Sequence, residues 1–506
     1  MGGFDKLALT CSLERSLPAS STSGLADIRT RRQMFKSRAA PSSDLGSPIP
    51  EGSGGPRSTV TRVRLAASQA IMKSGFDKDR QLSVDRLQVV FKIVERCNIN
   101  CTYCYYFNMG DTTALQRPPV VSVDSATQIA SWLADGCREL QIQELSISFH
   151  GGEPMMLNPD NFDAICSSFT DRLEQLVDLS FNIQTNGTIL TDKWLSTLCR
   201  RRVHVGVSID GGRAVHDRYR LDRQGRSTFE KTEKNLKTLV SRANESAGYL
   251  GPATISVLDC RNDYTEVYEY LRGLGVRRMS FLLPDRTLDD AFISSEESAR
   301  RYGESLFQIF EAWMTEDDPG IYVRFVSEML QKFQLREGGA LGQSHDQHSP
   351  GASARKKWAR QVVVIHSDGS VGVSDSYTPA LSWYRRTPGC SIHDSSLREF
   401  LMNDIFDEIE KATVSLSAKC QSCEWKSICR GGDLENRYSK KNGFDNPSVY
   451  CEGYQWFFQK ACDLLIRNGY PAERMRRVLV DCEVRRRKEA PDRIDIVDAR
   501  PGAFVG

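Results

Sequence analysis

The 506-residue chain has no stretch approaching the roughly 18 consecutive apolar residues that span a bilayer, and its first thirty residues hold no secretory apolar core. A charge imbalance is also missing: 67 Lys plus Arg meet 65 Asp plus Glu, and a net +2 offers no global field toward nucleic acid or a membrane. A cytoplasmic protein that recognises its partner locally is the expectation, with neither nucleic acid nor membrane involved. Cysteine is too sparse for a disulfide scaffold, with 15 residues in a chain long enough for two or three domains. Seven of the 15 fall into two tight groupings, which suits metal clusters better. The others, Cys11, Cys137, Cys166, Cys199, Cys260, Cys390, Cys462 and Cys482, are scattered and read as reduced core or surface thiols.

Residues 1 to about 80 are rich in Ser, Gly, Arg and Pro without a sustained apolar period, and are expected to be disordered. From Leu87 the texture changes to short β-branched runs alternating with helical stretches, the pattern of a parallel sheet covered by helices. Six strands are predicted, at 87–94, 145–150, 179–185, 203–209, 253–258 and 276–283, with helices such as 124–140, 191–201 and 229–241 between them. Six βα units with right-handed crossovers predict an α/β fold, a partial (β/α)6 TIM-like barrel over 85–320 whose chemistry sits at the C-terminal strand ends. Its open side would admit a polypeptide. Residues 321–455, with a hairpin-like segment at 361–376 and cysteine-rich loops, read as a second domain held by metal, and 456–506 as a helix and a solvated tail containing Arg485 to Lys488.

Directly after the first strand stands Glu95-Arg-Cys-Asn-Ile-Asn-Cys-Thr-Tyr-Cys104. Three thiols at Cys97, Cys101 and Cys104 are one short of the four that a tetrahedral zinc or a fully ligated iron–sulfur cluster takes, which suggests one open metal position. A zinc completed by a distant residue is the plainer alternative. The C-x3-C-x2-C spacing resembles the radical S-adenosylmethionine (SAM) enzymes. That resemblance implies a [4Fe–4S] cluster on the three cysteines, SAM chelated to the fourth iron, and a 5′-deoxyadenosyl radical that abstracts a substrate hydrogen.

The second strand ends in Gly151-Gly-Glu-Pro154, similar in identity and place to the family's GGEP motif. Glycines let backbone approach a ligand closely, and the SAM ammonium needs oxygen acceptors such as Glu153. By the same resemblance Tyr103 lies near the adenine, while Asn186, Ser208 and Asp210, at the ends of the third and fourth strands, reach the ribose and carboxylate. Arg218 and Arg220 are candidates for pairing a carboxylate, with a surface salt bridge as the equal alternative; Arg220 is taken as the cofactor residue.

Farther on, Cys420-x2-Cys423-x5-Cys429 with Cys451 resembles the auxiliary-cluster (SPASM) domain of peptide-modifying radical SAM enzymes, and implies one auxiliary [4Fe–4S] cluster. A structural zinc would satisfy four cysteines as well. Other positions of that family pattern are missing here: Ser374 and Asp433 stand where it has cysteine, and none occurs from Tyr322 to Thr387. By resemblance these all serve a second auxiliary cluster, so two clusters in total are expected, with Cys390 as a lone possible substitute ligand. Asp375 follows Ser374 where the anaerobic sulfatase-maturing branch has a base. The segments Gly431 to Tyr438 and Asn442 to Cys451 look like the tail of maturases that build cyclophanes in ribosomally made peptides. The implied reaction is a C–C crosslink between a side-chain Cβ of a precursor peptide and an aromatic ring, with flavodoxin or ferredoxin as electron donor. Formylglycine formation on a sulfatase, thioether or epimerase chemistry, and an inactive peptide-binding scaffold are the alternatives.

Two clusters require about eight irons per chain after anaerobic reconstitution, and about four in the Cys97, Cys101, Cys104 triple alanine variant. That variant should form no 5′-deoxyadenosine from SAM and dithionite. Zinc in place of iron would refute the cluster assignment.

Overall fold

Each segment expected as a strand carries large apolar residues at alternate positions, and each forms a strand in the computed structural model, which describes residues 82, 84–245, 251–290, 292, 297–333 and 359–479. The N-terminal extension expected to be disordered and the basic run at 485–488 lie outside the described residues. In chain order the strands are β1 (Arg86–Val94), β2 (Ile99–Cys101), β3 (Glu144–Gly151), β4 (Asp178–Thr185), β5 (His204–Ser208), β6 (Arg220–Asp222), β7 (Ala253–Val257) and β8 (Arg278–Leu282). They are followed by β9 (Tyr322–Val323), β10 (Val362–Ile365), β11 (Ser370–Val373) and β12 (Cys390–Ser391).

Strands β1, β3, β4, β5, β7 and β8 pair in parallel in that order, giving the six-stranded core expected of the partial barrel. The sheet continues past both ends of that core. Short β9 adds in parallel to β8, and β10 adds in parallel to the outer edge of β1 before β11 and β12 turn back antiparallel. Ten strands thus form one open sheet, and its edge strands β12 and β9 do not pair. The described residues from Leu82 onward group as one compact unit. The region expected as a second domain therefore shares the main sheet through its hairpin, and its cysteine-rich loops follow.

Helices cover the outer face of the sheet: α1 (Val123–Leu140), α2 (Pro159–Leu173), α3 (Asp192–Arg200), α4 (Phe229–Glu245), α5 (Tyr264–Gly273) and α6 (Ala299–Glu316). Later come α7 (Arg324–Lys332), α8 (Asp404–Val414) and α9 (Cys451–Arg467). Ser122 starts α1 by accepting the Ser125 N–H, and Thr191 does the same for α3 through Trp194. The period of two in the strands decides which face is core. In β3, Leu145, Ile147 and Phe149 are buried on the helix side, where Phe149 meets the rings of Phe91, Phe162, Phe169 and Phe181. The alternate residues Ser146, Ser148 and His150 face inward and are only half-buried.

Helices α6 and α9 cross at two glycines. A Cβ on Gly303 would lie 2.3 Å from the Gly453 carbonyl oxygen, and one on Gly453 would lie 2.0 Å from that of Ala299. Backbone against backbone cannot yield as a flexible side chain can. Gly303→Ala should therefore destabilise the fold by about 1–3 kcal/mol, seen as a lowered denaturation midpoint; an unchanged midpoint would show that the helices can slide apart.

Candidate active site

Strand β1 pairs with β3 in register up to Lys92, after which a bulge places Val94 opposite Gly151. Bulges of this kind re-aim the chain beside active sites. Here it turns the chain into the cysteine loop. The loop is pinned twice. β2 pairs with β6, setting Cys101 against Arg220. From the other side the Gly151–Gly152 backbone presses on it: a Cβ on Gly151 would come 2.0 Å from the Val94 carbonyl oxygen, and one on Gly152 would come 2.2 Å from that of Arg96. Gly152 N–H donates to Val94 (2.7 Å) and Glu153 N–H to Arg96 (2.9 Å). These glycines stand at the end of the strand as expected, and their backbone lies against the cysteine loop.

Glu153 is fully buried. Its carboxylate accepts from Met155 N–H (2.9 Å), the Thr185 hydroxyl (2.7 Å) and Asn186 N–H (2.7 Å), locking the loop after β3 to the end of β4. Burial pushes its carboxyl pKa up, against the pull of these donors. Asn186 extends the link with its side-chain amide, donating to Asn98 (2.9 Å) and lying 3.8 Å from the Cys97 sulfur. Asn98 donates in turn to Thr188 (2.8 Å).

On the far side of the loop, Tyr103 donates to Asp210 (2.7 Å) and accepts from Arg220 (2.6 Å), while Asp210 also accepts from Val257 N–H. The Arg220–Asp210 pair offsets the cost of burying both charges. Ser208, half-buried, accepts from Gln184 (2.8 Å). Arg218 turns elsewhere, to Asp259, in a cluster with Arg261 and Tyr219.

The donor sets suit the groups expected. Cys97, Cys101 and Cys104 are free thiols, and burial pushes Cys97 up to about 12, with Glu153 and the other two sulfurs adding to the effect. Such thiols ionise when a cation joins them. The Arg220 Nε is buried without a hydrogen-bond partner, a donor that an anionic group such as a carboxylate would satisfy. Cys420, Cys423, Cys429 and Cys451 surround a small cavity capped by Tyr454 and Phe458, and Cys429 is likewise pushed up to about 12 by burial. Among the described residues no three His, Cys, Asp or Glu side chains close around a single ion. A lone zinc would need the thiols to draw in, whereas a cluster presents a separate iron to each. Cys390 lies in β12 opposite Val371, and the charges it feels are those of Asp394 and Glu399.

Asp375, just past β11, is the residue with the least expected surroundings. It is buried and ion-paired with Lys92, whose side chain is fully buried, and it accepts from Tyr105 (2.8 Å). Lys92 also reaches the Tyr105 hydroxyl and His150 Nδ1, both at 3.2 Å, and lies 4.5 Å from the centre of the Tyr106 ring. Burial pushes Asp375 up, but the Lys92 ammonium and the Tyr105 hydrogen bond outweigh it and hold the carboxyl at about 2. A second buried carboxylate, Glu95, accepts from Tyr106 and lies 3.1 Å from His366 Nδ1 in the β10–β11 turn, tying the hairpin to the cysteine loop. Asp285, beyond β8, is pushed to about 7 by burial, with the charges of Asp375 and Asp433 adding to the shift. Sequence reasoning missed Lys92, Glu95 and Asp285. The first two had a signal: they are the charged residues in and beside the apolar run of β1.

These elements define an enzyme. Residues 91–252 match the family model described as the Radical SAM superfamily. The chain carries a radical SAM domain, and such enzymes use a [4Fe–4S] cluster and SAM. Among curated relatives it is similar to the cysteine-type anaerobic sulfatase-maturating enzyme of Clostridium novyi (strain NT), 23% identical over 368 residues that cover 72% of this chain and 92% of the relative. It is also similar to the serine-type anaerobic sulfatase-maturating enzyme of Bacteroides thetaiotaomicron, 22% identical over 382 residues, covering 72% and 86%. The solved structure of native anSMEcpe with bound AdoMet shares the fold at a TM-score of 0.63 and 22% identity, over 75% of this chain and 98% of that one.

The depressed Asp375 pKa has a consequence for stability. A carboxyl held at about 2 in the folded state, below its ordinary 3.8, contributes stability above pH 4 that is lost as the pH falls toward 2. Lys92→Met leaves this carboxylate buried and unpaired, at a cost of about 3–5 kcal/mol near neutral pH. With its counter-charge gone, Asp375 should titrate above its ordinary value, so the variant should regain part of that loss on acidification. The Lys92→Met, Asp375→Asn double variant should be more stable than Lys92→Met alone. Chemical denaturation at several pH values checks both; equal losses in single and double variants would dismiss the pair.

Proposed function

We propose that this enzyme is a maturase that acts on a ribosomally made precursor peptide, joining an aromatic ring carbon to a side-chain Cβ. The observation that carries the reading is the buried, ionised Asp375, linked through Tyr105 to the cysteine loop that would hold the SAM-binding cluster. When bound, the cluster and SAM supply a carbon-centred radical. Crosslinking then requires loss of one electron and one proton from the ring to restore aromaticity, and Asp375 is the carboxylate placed to take that proton. In this reading Cys97, Cys101 and Cys104 hold the SAM cluster and Cys420, Cys423, Cys429 and Cys451 the single auxiliary one. Gly151, Gly152, Glu153 and Asn186 support the loop on one side, and Tyr103, Ser208, Asp210 and Arg220 receive SAM on the other. Flavodoxin or ferredoxin would supply electrons in the cytoplasm. Among the described residues no helix is long and apolar enough to cross a membrane.

A cavity of about 720 Å³ is bordered by Ser376, Tyr377, Asp433 and Glu435, beside the positions where the resembled family has further cysteines. Formylglycine formation is the second reading, favoured by the sulfatase-maturating relatives. Both readings need a proton acceptor; the serine and aspartate at 374 and 433 favour the first.

Co-expression with short peptides encoded beside the gene separates them. Intact mass should show a loss of two hydrogens per crosslink, with the two residues linked in fragment spectra and no carbonyl reactive toward hydrazides. A hydrazide-reactive product would establish formylglycine and remove the crosslink reading. In either case Asp375→Asn should lower product formation by about 100-fold.

A further inference from the structure

A carboxyl held at about 2 gives up quickly any proton it takes from a substrate, so that proton must have somewhere to go. In the proposed function the strand-end side of Asp375 is taken up by SAM and the peptide. On the inner side, Lys92 is fully buried and its ammonium bridges Asp375 to His150 Nδ1 (3.2 Å). His150 is the penultimate residue of β3 and borders a cavity of about 270 Å³ inside the barrel. His204 and Arg278, the first residues of β5 and β8, line the same cavity. It therefore runs along the strands from their N-terminal ends to the Lys92 pair.

TIM-type barrels ordinarily fill this space with branched apolar side chains. Here Gln88, Ser148, Asn182 and Gln184 share the lining with Val90, Ile183, Val205 and Ile255, and Gln88 donates to Ser148 at 3.2 Å. The space is roomy enough for several waters, and these side chains offer them hydrogen-bond partners.

Resting on the reading of Asp375 as the proton acceptor, we propose that the substrate proton leaves from Asp375 through Lys92 and His150 into the interior cavity bordered by His150, Gln88, Ser148, Asn182 and Gln184. The transfers balance. The O–H bond formed on Asp375 breaks as Lys92 recovers the proton it has given to His150 Nδ1, and His150 releases its Nε2 proton to interior water. Exchange with that water restores the starting tautomer. No electron moves along this path; the one lost by the substrate goes to a one-electron acceptor, an iron–sulfur cluster. His150 suits a transient carrier: the Lys92 ammonium against its Nδ1 disfavours a second positive charge there and keeps the ring neutral at rest. Its Nδ1 also accepts Gly151 N–H (2.9 Å), which leaves the ring proton on Nε2. The titratable groups facing the Lys92–Asp375 pair from neighbouring elements are Tyr105, Tyr106, Tyr384 and Asp285, with Cys104 and His366 also within reach of the Lys92 charge.

Two measurements test the route. In reconstituted protein carrying ¹⁵N-histidine, NMR should show His150 neutral with its proton on Nε2 from about pH 5 to 8. A proton on Nδ1 would overturn the route with or without a substrate, because Lys92 would then face a donor. In turnover of the co-expressed peptide, the ratio of modified peptide to 5′-deoxyadenosine should fall by about tenfold or more in His150→Phe. Imidazole should restore the ratio in His150→Ala, which a merely structural role would not allow. An equal ratio in wild type and His150→Phe, or a ratio lost in Asp285→Asn instead, overturns the assignment. Absence of 5′-deoxyadenosine altogether would defeat the functional reading, and the NMR result would still decide the proton path.

Discussion

Everything at the mouth of this barrel depends on a backbone contact that leaves no room for a side chain. Gly151 and Gly152 lie against Val94 and Arg96, and the two N–H···O bonds made there hold the cysteine loop at the edge of the sheet. A Cβ at either glycine would displace carbonyl groups, not a flexible side chain. The contact propagates: Glu153 reaches from the same turn to Thr185 and Asn186, and Asn186 reaches back to Asn98. Three strand ends are thereby fixed relative to three thiols. Catalytic sites require such preorganisation because small displacements of reacting atoms cost large factors in rate.

Electrostatics supplies a second layer. Lys92, Glu95, Glu153, Asp210 and Arg220 are all buried within or near the site. Each would be prohibitive alone and is tolerable with a partner or several donors. The pairs also join parts distant in sequence: Lys92 with Asp375, Glu95 with His366, Tyr103 with Asp210 and Arg220. Removing one member would therefore disturb both the charge balance and the docking of two segments.

Much of this was legible in the residues because it is local. The period of two marked the six core strands to within about two residues, since one face of each strand packs on helices while the other lines the interior. The C-x3-C-x2-C spacing and the GGEP turn pointed to two segments that the fold brings into contact. Partners were harder to see. Nothing in the spacing says that Gly152 meets Arg96 and not a ligand, or that Lys92 pairs with Asp375. That β10 would extend the main sheet was likewise hidden, because a four-residue apolar strand carries no record of its neighbour. Lys92 shows the limit well: a lysine within Leu87 to Val94 signals a buried partner without saying which carboxylate it is.

The pairing of β1 with β10 also orders events during synthesis. Gln88 lies opposite Val362, so one edge of β1 stays uncovered until the ribosome has made the intervening chain. At about 5–20 residues per second this takes roughly tens of seconds. During that interval the cysteine loop exists while Asp375, the hairpin and the Glu95–His366 tie do not. The ties between the hairpin and the start of the cysteine loop therefore form late, after most of the sheet has been made.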